Sequence, residues 1–164
     1  MTDSLDSYYI SYEEFSLKKR AILSNSKKVG SLYIYNDINT FYPPLTDESE
    51  LPVNGIFLND IGDFKKFVNL KQFYLEGLFL KELPDFFISF KKLERMQICF
   101  SRSTDVKKAL SILLKMPSLN YLDINSSRLS EDKRDYLIKE LTSNGIKVFD
   151  YFTLHEPKNR LRTH

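Results

Sequence analysis

The sequence predicts an α/β fold: a curved parallel β-sheet of about six short strands on a concave side, with helices and irregular turns on the convex side. Three observations predict it. An apolar triplet with spacings of three and then two residues recurs along the chain, as in Leu70-Phe73-Leu75, Leu93-Met96-Ile98 and Leu119-Leu122-Ile124. Each triplet ends in the apolar alternation of a strand with one buried face. Successive triplets lie twenty-odd residues apart, too far for tight hairpins and right for parallel neighbours joined by a crossover.

The elements follow in order. Ser11 with Glu14 is a capping box, and Phe15, Ala21 and Ile22 can share one side, so Ser11–Asn25 reads as a helix covering the first strand. Val29-Leu32-Ile34 and Val53-Ile56-Leu58 are weaker copies of the triplet before the central ones, and Ile146-Val148, led by the polar Ser143, is a weaker copy after them. The second positions of the six copies are 32, 56, 73, 96, 122 and 146, giving steps of 24, 17, 23, 26 and 24 residues. The 17-residue step is short, which means either a clipped convex segment or a displaced register near Ile56.

Between the triplets, Phe41–Leu51, with Pro43-Pro44 and Asp47, Glu48 and Glu50, reads as an exposed acidic loop. Leu83-Pro84 followed by Phe86, Phe87 and Phe90 reads as a short helical turn. Ser103–Met116 carries Thr104 ahead of Asp105 and then a stripe of Val106, Ala109, Leu110, Leu113 and Leu114 at helical spacing. Ser130–Asn144 repeats that logic with Ser130 as cap, Glu131 and Asp132 in the first turn, and Asn144-Gly145 as the stop.

The triplets in LKQFYLEGLFLKELP, LERMQI and LNYLDI resemble the leucine-rich repeat family, whose motif is LxxLxLxxN in repeats of about 20–29 residues. The resemblance covers Val29 to Tyr151 and is strongest from Phe67 to Ser127. It departs from the family at the ninth position, where Asn or Cys is replaced by Asp37, Ile61, Leu78, Ser101, Ser127 and Tyr151. The asparagine ladder is therefore expected to be irregular. The resemblance implies a single-domain solenoid with a helical cap at 1–28, repeats at 29–151 and a polar tail at 152–164. It also implies the family's usual role, binding another protein on the concave face.

Composition narrows the functions. The 164 residues carry 24 basic and 22 acidic side chains, a net charge of +2 that argues against a dedicated nucleic-acid binder. Cys99 is the single cysteine, so an internal disulfide is excluded. No basic stretch followed by an apolar run opens the chain, and no run approaches the roughly 18 apolar residues of a membrane span. A cytoplasmic protein is expected. His155 and His164 have no ligand at metal spacing, and no GxSxG, P-loop or HExxH motif occurs. Neither a metal, a cofactor nor catalysis is expected. Cys99 reads as a small filler on the sheet face. The pairs Lys18-Lys19, Lys27-Lys28, Lys65-Lys66, Lys91-Lys92 and Lys107-Lys108 form a solvated rim, with an acidic partner or nucleic acid as the functional alternative.

Strand alternation gives three rows on the concave face. The central row is Tyr33, Phe57, Tyr74, Gln97, Asp123 and Lys147. The second is Tyr35, Asn59, Glu76, Cys99, Asn125 and Phe149. The third is Ser31, Gly55, Gln72, Arg95, Tyr121 and Gly145. The expected partner-binding residues are Tyr33, Tyr35, Phe57, Asn59, Tyr74, Glu76, Arg95, Gln97, Tyr121, Asp123, Asn125, Lys147 and Phe149. Exposed Tyr and Phe clusters favour protein interfaces because they bury large area at little entropic cost. A sharper alternative is an antitoxin-like immunity protein that neutralises a bacterial toxin by direct binding, in keeping with a short chain rich in Lys, Asn, Ile, Phe and Tyr. An enzyme would have to assemble its site from Asp123, Glu76 and Tyr74, and the aromatic face could also drive self-association.

Overall fold

The computed structural model describes residues 4–36, 61–126 and 128–150. Among them, six strands form one all-parallel sheet in chain order. They are β1 (Asp6–Ser11), β2 (Val29–Tyr35), β3 (Gln72–Leu80), β4 (Arg95–Phe100), β5 (Tyr121–Asn125) and β6 (Lys147–Asp150). Helix α1 (Tyr12–Ser24) joins β1 to β2, α2 (Val106–Lys115) joins β4 to β5, and α3 (Glu131–Ser143) joins β5 to β6. A 3-10 turn at Ile61–Lys66 precedes β3, and another at Asp85–Ser89 lies between β3 and β4.

The strand residues at the expected apolar positions build the core. Leu32, Ile34, Phe73, Leu75, Met96, Ile98, Leu122 and Ile124 are at most 1 % exposed and share one cluster with helix residues such as Phe15, Ile22, Leu113, Leu137 and Leu141. Phenylalanines tie the first half together: Phe15 stacks on Phe64 at 5.5 Å, Phe64 lies 5.2 Å from Phe73, and Phe73 meets Phe90 edge-on at 6.2 Å. Each such pair adds about 0.5–1.5 kcal/mol beyond the area it buries. The caps are local and sequence-encoded: Ser11 Oγ accepts from Glu14 N, and Ser130 Oγ accepts from Lys133 N.

Three expectations need correction. First, the helical cap expected over 1–28 contains a strand, β1, ahead of α1. Second, β2 pairs directly with β3, Leu32 opposite Phe73, so no strand centred on Ile56 stands between them. The segment Val53–Leu58, the loop Phe41–Leu51 and the tail from Tyr151 on lie outside the described residues. Third, β6 is displaced by two residues: Val148, not Ile146, opposes Leu122. Gly145 leaves α3 at a φ of 84°, in the left-handed region, and Lys147 N donates to Asn120 O. That bond fixes Lys147 opposite Tyr121 while Ile146 is buried. The cap of α2 is Asp105. Asp105 accepts from Lys107 N and Lys108 N, while Thr104 Oγ1 donates to Leu80 O and accepts from Ser101 N.

Polar side chains close the ends of three strands. Ser101, with Thr104, bridges to the end of β3, and Ser126 Oγ donates to the buried Asp150 at 2.6 Å. Hydroxyls and one carboxylate therefore satisfy backbone and side-chain groups at the strand ends.

Candidate functional site: an aromatic face of the sheet

The strand side chains that alternate with the core residues form a second face. The pairing aligns Tyr9, Tyr33, Tyr74, Gln97, Asp123 and Phe149 across all six strands. A flanking row runs Ser7, Ser31, Gln72, Arg95, Tyr121 and Lys147. A third row holds only on the first three strands, as Ser11, Tyr35 and Glu76.

At the β1 side the tyrosine rings touch. Tyr9 lies 4.7 Å from Tyr33 and 4.9 Å from Tyr35, and Tyr33 stacks on Tyr74 at 5.3 Å. Tyr33 Oη donates to Glu76 Oε2. Partial burial, reinforced by that bond and by the Glu76 charge, holds the Tyr33 phenol well above its ordinary value. Burial raises Tyr74 too, with the Asp123 charge adding to it. At the other side Arg95 lies over the Tyr121 ring, 5.2 Å from its centroid. Burial raises the Asp123 carboxyl, and the Tyr121 hydrogen bond and the Arg95 charge pull it part of the way back. Tyr33 and Tyr74 thus stay protonated at neutral pH and keep their hydroxyls as donors.

Eight of the expected residues come together on this face: Tyr33, Tyr35, Tyr74, Glu76, Arg95, Gln97, Tyr121 and Asp123. Lys147 and Phe149 are also there but have moved by one row. Phe149 takes the central row and Lys147 joins Arg95 and Tyr121. Asn125, 5 % exposed, and Cys99, 1 % exposed, pair with each other across β4 and β5 and are both buried, so neither offers open surface to a partner. Strand β3 bulges between Tyr74 and Phe79, with Gly77 at a φ of 74°, so Cys99 pairs with Phe79 instead of Glu76. Its thiol is buried against Leu75 O at 3.5 Å, and burial pushes it up to about 12. Phe57 and Asn59 lie outside the described residues, as do Gly55, His155 and His164.

Tyr9 is the residue that sequence reasoning missed. It is the most exposed ring of the cluster, at 70 %. A signal existed: Leu5-Tyr8-Ile10 has the three-then-two spacing and lies 24 residues before Val29-Leu32-Ile34.

Among the described residues no group of three His, Cys, Asp or Glu side chains is placed to hold a metal ion. No described helix is long and apolar enough to cross a membrane. An open groove of about 790 Å³ runs along the N-terminal edge of the first strands and shares Ser7, Ser31 and Gln72 with the flanking row, and another of about 470 Å³ lies beside the starts of α2 and α3. No family profile and no curated protein sequence matches this chain.

Proposed function

We propose that this protein is a non-catalytic interaction module that binds a single protein partner on the tyrosine-bearing face of its sheet. We read the sheet and its crossovers as a short, irregular leucine-rich repeat solenoid. Strand steps of 23, 26 and 26 residues between Phe73, Met96, Leu122 and Val148 support that reading. The observation that carries the function is the ordered array of Tyr9, Tyr33, Tyr35, Tyr74 and Tyr121, set on a rigid sheet and left partly exposed. Rings held against one another lose little entropy on binding, and each offers both apolar area and a hydroxyl.

The test is affinity capture from the native cell lysate with wild type and with a Tyr33→Ala, Tyr74→Ala, Tyr121→Ala variant, each checked for fold by circular dichroism. The expected result is one protein retained by wild type and lost by the folded variant. Its identity also decides whether the partner is a toxin neutralised by this chain. Equal capture by both proteins would overturn the reading.

A further inference from the structure

The sheet face is small for the role proposed. Six strands about 4.8 Å apart, each presenting about five residues at 3.3 Å, make a platform of roughly 400 Å² in projection. A standard interface buries about 800 Å² of accessible surface on each partner, so residues bordering the face are expected to take part.

The groove of about 790 Å³ adjoins that face directly, because Ser7, Ser31 and Gln72 belong both to its lining and to the row that continues to Arg95. Lys71 and Lys92 line it as well. Asn69 fixes the Lys92 head group: Lys92 Nζ donates to Asn69 Oδ1 at 2.9 Å, and Asn69 Nδ2 donates to Lys27 O at 2.7 Å. Gly30 lets the chain before β1 close the groove, since a Cβ there would lie 2.6 Å from Leu5 Cβ. No carboxylate lines the groove among the described residues, and Asp6 and Glu94, the acids adjacent in sequence to Ser7 and Arg95, stand outside it. Two lysines, three serines and two side-chain amides line this open groove at the starts of the first strands.

Resting on the reading of the sheet face as a partner-binding surface, we infer that this groove receives an acidic, extended segment of the same protein partner. Two lysines with no carboxylate beside them in the lining give the groove a positive character that a segment bearing several carboxylates complements. Charge complementarity of this kind speeds encounter and fixes orientation.

The test uses the full chain, labelled with 15N, and three probes: hexaglutamate, hexalysine and inorganic pyrophosphate. Hexaglutamate is expected to shift the amides of Ser7, Ser31, Lys71 and Gln72, to weaken with added NaCl, and to bind about tenfold more weakly to a Lys71→Glu, Lys92→Glu variant while a Lys107→Glu, Lys108→Glu control is unchanged. Absence of binding, shifts centred on Lys65-Lys66 or Lys107-Lys108, equal binding of hexalysine, or pyrophosphate binding as tightly as the peptide would each overturn it. The peptide map does not involve the tyrosines, so it fails or succeeds independently of the capture experiment.

Discussion

The two sides of the sheet carry different kinds of aromatic ring. On the helix side, Phe15, Phe64, Phe67, Phe73, Phe87, Phe90 and Phe100 are at most 3 % exposed. On the other side, Tyr9, Tyr33, Tyr35, Tyr74 and Tyr121 stand partly in water. Phe149 is the exception, an exposed phenylalanine on the edge strand of the tyrosine side. A ring that must stay buried carries no polar atom to satisfy, whereas a ring that waits in water gains from one. The comparison teaches that aromatic type, and not only apolar periodicity, distinguishes a packing face from a waiting one.

The largest effects should come from the helix side. Phe73→Ala empties the centre of the phenylalanine cluster and should cost about 3–5 kcal/mol in urea-induced unfolding. Tyr74→Ala, one residue along the same strand, should cost about 1 kcal/mol or less. Similar losses from the two would erase the distinction between the faces.

The bulge in β3 gives an intermediate effect. Gly77→Val puts a β-branched residue at a φ of 74° and should destabilise the fold by about 1–3 kcal/mol. It should also open Cys99, which in the wild type should react with a thiol reagent only as fast as the protein unfolds. Rapid labelling of the native wild type would break this account of the bulge.

Alkaline pH sharpens it further. The Cys99 thiol ionises near 9.0 when unfolded but only at about 12 when folded, so above pH 9 the unfolded chain binds fewer protons than the native one. Stability is therefore fully present below pH 9 and lost as pH rises toward 12. Between pH 9 and 10 the slope should vanish in Cys99→Ala; above pH 10 the raised tyrosines Tyr33, Tyr74 and Tyr121 add to the decline. Chemical denaturation at a series of pH values measures it.

The smallest effect is at Asp123. Its carboxyl is raised, so the folded state holds that proton more tightly than the unfolded chain, and this residue's contribution falls as pH rises through its folded value. Asp123→Asn should leave stability at neutral pH unchanged or slightly higher and flatten the dependence just above pH 3.8.

What was legible in the sequence was what neighbouring residues decide. The triplets placed β2 to β5, and the Ser11 and Ser130 caps placed α1 and α3. Partnership across the chain was not legible. The adjacency of β2 and β3 spans 41 residues between Leu32 and Phe73, and no local pattern encodes it. The β6 register hangs on one turn glycine and one backbone bond to Asn120, and Ser143-Ile146-Val148 mimics the triplet in the wrong frame. Strand β1 was hidden because its triplet carries Tyr8 where Leu is usual and runs straight into the Ser11 cap. The burial of Cys99 was not legible because the bulge in neighbouring β3 brings Phe79 opposite it.

The central claim is that the tyrosine face is where the partner binds, and calorimetric titration of the captured partner against Tyr33→Ala and Tyr74→Ala tests it most directly. The account predicts that each loses at least about 2 kcal/mol of binding, roughly thirtyfold in affinity, with the fold intact. Affinities within twofold of wild type for both would contradict it.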